Sequence, residues 1–346
     1  MSSAPPLVIR FGAFGDTVLL TPLLHALALR WGQPVDLLSS GPWTPQLLAN
    51  NPHVGHIQLL RSRRAPYWLT PSQWQAVAWM RKRGSGPVYF CERDAFGLDL
   101  LSRAGIPTDH IDKPWDDWPG DSVHWADWWL DVAQRTPKGI EPATLLCSGS
   151  VAPRPELFIT EAERSACDLW LKQKGWSADS LVLVQAGHKK THKRGRIGTS
   201  DHSKHWPPGH WAAVVRGIRS HLPSSRVLMC GSAREHGLVQ EIIDMVDDTR
   251  VHNLAQELPI DRLLPLAERA HSMISVDTGP AHAAGAMNCP LVVLYSVFGS
   301  VRWRPRPRSA PVVAMGGENG AASRLTDIEP DQVIAAWKSL GTRSNG

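Results

Sequence analysis

Short apolar runs separated by helix-length segments recur along the whole chain, and that rhythm restricts the fold more than any other feature. In the first half Leu7-Val-Ile-Arg-Phe11, Val35-Asp-Leu-Leu38, His56-Ile-Gln-Leu-Leu60 and Val88-Tyr-Phe-Cys91 alternate with helical patterns, the first through Leu19, Leu20, Leu23, Leu24 and Leu27. A proline-, glycine- and serine-rich stretch from Pro137 to Pro155 interrupts the pattern, which then restarts. Strands are expected at Leu181–Val184, Arg226–Cys230, Ser272–Val276 and Leu291–Tyr295, with helices between them and a last helix near Glu329–Leu340. Short apolar strands linked by helices form parallel sheets covered on both faces. Two doubly wound α/β domains are therefore expected, 1–150 and 151–328, with a C-terminal helix in 329–346 packing back on the first domain. Ligands of such domains bind outside the carboxyl ends of the strands.

Composition narrows the class. With 42% hydrophobic and 20% charged residues in 346, the chain is an ordinary globular one, neither disordered nor fibrous. No apolar run approaches the roughly 20 residues of a membrane span. The Met1-Ser-Ser-Ala-Pro-Pro start lacks the basic stretch of a secretion signal, so a cytoplasmic location is expected. Five scattered cysteines without a Cys-x-x-Cys pair read as reduced thiols. The net charge of +5 falls on the second half, since residues 1–160 carry 14 basic and 14 acidic side chains. Such scattered charge fits small anionic ligands or an anionic surface better than nucleic acid.

Three strand-to-helix loops carry the candidate chemistry. Phe11-Gly-Ala-Phe-Gly15-Asp16 turns off the first strand and sets Asp16 at a helix mouth, either as an N-cap or as a functional carboxylate. Its Gly12-x-x-Gly15 spacing is not the Gly-x-Gly-x-x-Gly of dinucleotide enzymes, which disfavours an oxidoreductase. The loop Gln185–Pro207 carries Lys189, Lys190, Lys193, Arg194, Arg196 and Lys204 against the single acid Asp201. Such density suits a phosphorylated ligand, or else a solvated surface. In the third, Val276-Asp277-Thr278-Gly279-Pro-Ala-His282, free backbone N–H groups at a helix start favour phosphate, and the small residues behind them allow close approach. Tryptophan is abundant, 16 against 6 Phe and 3 Tyr, and crowds at Trp115–Trp129 and at Trp68, Trp74 and Trp79. These indoles suit a core, a sugar ring or a membrane interface.

Phe14-Gly15-Asp16, Lys204-His-Trp-Pro207, Gly231-Ser232 after a strand and Val276-Asp-Thr-Gly-x-x-His282 resemble, in order and spacing, the heptosyltransferases of glycosyltransferase family 9. The resemblance implies a GT-B architecture, two facing Rossmann-like doubly wound parallel-sheet domains with an interdomain cleft. It also implies an inverting transfer of heptose from ADP-heptose to a hydroxyl of an anionic lipopolysaccharide inner-core glycolipid of the Kdo-lipid A type, at the cytoplasmic face of the inner membrane. Asp16 is then the expected general base. Lys204, Asp277, Thr278, Gly279, His282, Gly231 and Ser232 are expected to bind the donor. Gly15 and the arginines Arg61, Arg63 and Arg64 of an acid-free stretch are expected to bind the acceptor. The sequence contains no Asp-x-Asp triplet, so charge stabilisation without a metal or other cofactor is expected. A sugar-nucleotide epimerase of similar fold, or a non-catalytic sugar- or nucleotide-binding protein, stays open on these grounds.

Overall fold

Most of the apolar runs become buried parallel strands covered by helices, while the run at His56 forms an edge strand that is only partly buried. The computed structural model describes residues 4–142, 151–188, 192–193, 196–197, 204–296, 298–318 and 324–341. The chain divides into two compact units, Met1–Phe158 and Ile159–Gly346.

The first unit runs β1 (Leu7–Arg10), α1 (Phe14–Leu19), α2 (Thr21–Trp31), β2 (Val35–Ser39), α3 (Thr44–Leu47), β3 (Val54–Leu59), α4 (Pro71–Arg83), β4 (Val88–Phe90), α5 (Ala95–Ala104), β5 (Ile111–Asp112) and α6 (Trp125–Ala133). Its sheet has the order β3-β2-β1-β4-β5, with every neighbouring pair parallel. The single helical pattern expected after β1 is two helices. Pro22, without an N–H to continue the ladder, sits in the first turn of α2. Trp125, Trp128 and Trp129 are buried on α6, so these three serve as core aromatics. The unit extends past residue 150, the boundary expected from sequence. Glu156 N–H donates to Thr21 Oγ1 at 3.0 Å and Asn50 Nδ2 to the Phe158 carbonyl at 3.4 Å, which ties this segment to the first core.

The second unit runs α7 (Glu161–Gln173), β6 (Leu181–Gln185), β7 (His192–Lys193), β8 (Arg196–Ile197), α8 (Pro208–His221), β9 (Arg226–Cys230), α9 (His236–Val246), β10 (Val251–Asn253), α10 (Ile260–Arg269), β11 (Ser272–Val276), α11 (Gly279–Ala286), β12 (Leu291–Tyr295), β13 (Val312–Gly316) and α12 (Pro330–Lys338). Its sheet, β10-β9-β6-β11-β12-β13, is parallel, and β7 and β8 pair as a separate antiparallel hairpin. Helix α12, expected on the first domain, packs instead within the second unit. Val333 and Trp337 are buried in the second core, and Trp337 Nε1 donates to Ser272 Oγ at 2.8 Å. Gly217 on α8 makes the room, since a Cβ there would lie 2.4 Å from Ile334 Cδ1.

Cys91, Cys167, Cys230 and Cys289 are buried and take part in no disulfide among the described residues. Among the described residues no helix is long and apolar enough to cross a membrane.

Candidate functional site

In a doubly wound sheet the strand order reverses at one point, and the loops leaving the two strands there diverge to open a crevice. In the first unit that point lies between β1 and β4. β1 ends at Arg10, and Glu92 follows β4 by two residues, so a cation and an acid meet at the switch point. Arg10 is 7% exposed; its Nη1 donates to the Cys91 carbonyl at 2.9 Å and lies 3.6 Å from Glu92 Oε1. Glu92 Oε1 also accepts from the Phe11 N–H. Burial pushes the Glu92 carboxyl up, against the opposing pull of Arg10 and that N–H. Trp125 places its ring 5.1 Å from the Arg10 guanidinium carbon, and Trp115 lies 4.1 Å from that of Arg93.

Asp16 joins this set. Its Oδ2 lies 3.8 Å from Arg10 Nη2 and accepts from Ala13 N–H at 2.6 Å. The N-cap of α1 is Ala13, with no side chain to cap; Asp16 is the third helical residue, bonding back. Gly12 is required by the same approach, because a Cβ there would stand 2.5 Å from Asp16 Cβ. Gly15 lies in the first turn of α1, half-exposed. Arg63 is drawn toward the strand ends, 5.2 Å from the Phe11 ring and 3.2 Å from Asp94 Oδ2. With Arg61, Ser62, Arg64, Asp94 and Phe96 it lines an open depression of about 460 Å³.

In the second unit the switch point lies between β6 and β11, and Asp277 follows β11 directly. Asp277 Oδ2 accepts from Lys204 Nζ at 2.5 Å, the Asp277 carbonyl accepts from the same ammonium at 2.9 Å, and Oδ1 lies 3.5 Å from His282 Nε2. Burial alone would raise the Asp277 carboxyl; the His282 hydrogen bond and the Lys204 charge overcome it and hold the group below the usual carboxylate range. Thr278 caps α11 without a side-chain bond to its first turn, its hydroxyl meeting Ser275 Oγ at 3.1 Å instead. That leaves first-turn N–H groups, all but that of Pro280, as anion donors beside the ion pair. One of the small residues of α11 also has a packing task. Gly285 admits Pro305, whose Cβ would lie 2.8 Å from a Cβ on it.

Ser232 follows β9, and both its N–H and its hydroxyl donate to Glu235 Oε2 at 2.7 Å. Glu235 is buried, and its Oε1 has no hydrogen-bond partner among the described residues. That oxygen is aimed over Gly187, the second residue after β6, where a Cβ would come within 2.2 Å of it; a Cβ added at Gly231 would lie 3.2 Å from Glu235 Cβ. Arg10, Glu92 and Glu235 escape a reading of the sequence. The signal of Arg10 and Glu92 is position alone, at or just beyond the carboxyl ends of strands flanking a switch point, while Glu235 ends the short turn that follows β9, the neighbour of β6. Of the basic loop, Lys189, Lys190 and Arg194 lie outside the described residues, and of Lys193 and Arg196 only the backbone, in the β7–β8 hairpin, is described.

Away from the strand ends, His25, His53 and Glu156 bring donor atoms within 4.8 Å of one another. His25 Nδ1 lies 3.0 Å from Glu156 Oε2, Arg154 Nη2 lies 3.8 Å from the other oxygen, and the two imidazoles stack at 3.8 Å. Both carboxylate oxygens thus already face side-chain partners.

The comparisons fall on this geometry. Residues 194–331, which hold Lys204, Asp277, Thr278, Gly279 and His282, match the family model of glycosyltransferase family 9 (heptosyltransferase). Lipopolysaccharide heptosyltransferase 2 of Escherichia coli (strain K12) is 26% identical over 151 residues, 40% of this chain and 43% of that protein, so the match spans under half of the curated relative. Two solved structures extend the likeness of fold to nearly the whole chain. A glycosyl transferase family 9 protein of Veillonella parvula DSM 2008 superposes with a TM-score of 0.77 over 98% of both chains at 15% identity. The E. coli ADP-heptose lps heptosyltransferase II does so with 0.69 over 97% of this chain and 98% of that one, at 21% identity. The fold class is that of the GT-B heptosyltransferases, with two open parallel α/β sheets.

Proposed function

We propose that this protein is an inverting glycosyltransferase that moves a heptose from ADP-heptose to a hydroxyl of an anionic lipopolysaccharide-core glycolipid. The observation that carries the reading is the Lys204–Asp277–His282 cluster at the start of α11, inside the stretch that matches the family 9 model. The donor named for the E. coli structure, ADP-heptose, has the chemistry such a cluster would hold. Its diphosphate takes the Lys204 ammonium and the first-turn N–H groups of α11. Asp277 orients Lys204, and the buried Glu235 oxygen offers an acceptor for a donor hydroxyl.

On the acceptor side Asp16 takes the proton of the attacking hydroxyl as the carbon–oxygen bond to the anomeric carbon forms. The bond from that carbon to the diphosphate breaks on the opposite face, and ADP leaves with the electron pair. Arg10 faces the Asp16 carboxyl at 3.8 Å and is anchored in turn by the Cys91 carbonyl and Glu92. Lys204 and the helix start stabilise the departing charge without a metal ion. Arg63 and the depression lined by Arg61 and Arg64 suit the acceptor's anionic groups.

The test is transfer itself. The protein is incubated with ADP-heptose and a Kdo-lipid A acceptor, and heptosylated product and ADP are followed together. One-to-one formation of both is expected. ADP or an epimerised donor appearing without acceptor would replace the transferase reading with an epimerase or hydrolase.

A further inference from the structure

Three of the six large apolar side chains that stand exposed among the described residues fall within seven positions: Trp68 (69%), Leu69 (59%) and Trp74 (45%). They occupy the turn before α4 and its first turn. Arg61 and Arg64, just upstream, and Lys82, at the far end of α4, are exposed and have no ion-pair partner among the described residues. No acidic residue occurs between Leu37 and Cys91. The patch is held in shape from beneath. Buried Gln73 donates from Nε2 to the Ser62 and Ala65 carbonyls at 3.0 and 3.1 Å, Thr70 Oγ1 donates to the Pro66 carbonyl at 2.9 Å, and Arg61 N–H donates to Ser72 Oγ at 3.1 Å. A fixed segment thus presents two indoles and a leucine to solvent, with guanidinium groups alongside.

We propose that this face, Arg61–Trp74 with the basic end of α4, docks the protein on an anionic lipid bilayer. Indoles favour the headgroup level, where the ring is apolar and the N–H stays hydrated, and Leu69 adds acyl contact. Arg61 and Arg64 pair with lipid phosphates, and such basic groups are attracted by the negative surface potential of acidic lipids. A second copy of the chain suits the face poorly. Symmetric pairing would set unpaired arginines against their own kind, and three apolar side chains fall short of the roughly 800 Å² per partner of a stable interface.

The experiment is flotation with vesicles of phosphatidylcholine alone and of phosphatidylcholine with phosphatidylglycerol, using the full chain and neither donor nor acceptor. Its outcome is therefore independent of the activity proposed above. The parent should float with the phosphatidylglycerol vesicles, not with phosphatidylcholine alone, and should be released by salt. Trp68→Ser/Leu69→Ser/Trp74→Ser and Arg61→Gln/Arg64→Gln should each lower partitioning by about tenfold or more. Leu169→Ser/Met245→Ser, which removes exposed apolar side chains elsewhere, should float like the parent. Since every replaced side chain is exposed, the variants should melt near the parent, and circular dichroism checks this. The proposal is overturned if the parent ignores phosphatidylglycerol vesicles, if it floats equally well on neutral ones, or if either patch variant floats as the parent does. It is equally overturned if the parent binds a single-stranded oligonucleotide in place of vesicles, or self-associates through a contact that the triple variant abolishes.

Discussion

Lys204 reaches Asp277 twice, meeting its carboxylate at 2.5 Å and its main-chain carbonyl at 2.9 Å. One ammonium thereby clamps both the side chain and the backbone of the residue that ends β11. His282 takes the other carboxylate oxygen from one turn along α11. A cation, a buried acid and a helix start are fixed together before any ligand arrives.

That clamp separates binding from stability in a pair of variants. Lys204→Met leaves the buried Asp277 charge with His282 alone, so stability should fall by about 1–3 kcal/mol and ADP affinity by about 1.5–3 kcal/mol. Adding Asp277→Asn removes the uncompensated charge and should recover most of the stability but none of the affinity. Calorimetric titration of ADP and thermal melts read the two effects apart. ADP affinity unchanged in Lys204→Met would remove Lys204 from the donor site.

Asp16→Asn keeps an acceptor oxygen for the Ala13 N–H and keeps the Arg10–Glu92 contact, so it should melt within a few degrees of the parent. It cannot take a proton. Turnover should fall by about 10²–10⁴-fold with donor binding unchanged. A stable Asp16→Asn variant that turns over within a few-fold of the parent would leave Asp16 a helix-start residue only.

Gly12→Ala tests the same carboxylate from its other side. The added Cβ falls 2.5 Å from Asp16 Cβ and 3.0 Å from Arg10 Nε, so Asp16 must shift. Misplacing a reacting group by about 1 Å can cost about a hundredfold in rate. Turnover should drop toward that of Asp16→Asn with the β1–β4 sheet intact by circular dichroism. Parental turnover would mean that the position of Asp16 is not critical.

Acidification should weaken the first unit. Burial and the neighbouring His25 lower the His53 imidazolium below 6.5, and the His25 hydrogen bond lowers the Glu156 carboxyl below 4.5. Both folded values lie below the unfolded ones, so the unfolded chain takes up protons first as pH falls. The His53 contribution is complete above about 6.5 and declines as His53 titrates, and the Glu156 contribution declines below about 4.5, where the raised Glu92 and Asp112 carboxyls oppose it. Melting temperatures across that range should fall on the acid side, less steeply in His53→Gln. A flat or rising profile contradicts the assignment.

If positive charge at the donor side comes from Lys204 and the helix start, as proposed, turnover should survive chelation of divalent ions. Loss of activity in EDTA, restored by magnesium or manganese, would assign that charge to a metal.

The fold is legible where apolar runs are long enough to show a period. Leu7–Arg10, Arg226–Cys230, Ser272–Val276 and Leu291–Tyr295 read as strands because burial on both faces leaves no polar alternation. β5, of two residues, and β10, of three, carry no period at all; β13 hides behind the Arg304–Arg308 proline run. Asp16 and Asp277 are legible because glycine or threonine beside an acid marks a strand-to-helix turn. Arg10, Glu92 and Glu235 are not, because their meaning comes from which strands are neighbours, and strand order is not written locally. The destination of α12 is hidden for the same reason, since Trp337 declares that it is buried but not against what.

The Lys204–Asp277 contact means that the ammonium is already partly neutralised before ligand capture. An arriving anion must share it with a carboxylate already seated there, so the site responds to the difference between two partners. A weakly charged ligand gains little over the resident one, whereas a doubly charged diphosphate that also reaches the α11 N–H groups can tip the balance. The site thereby carries its own charge threshold, set by Asp277.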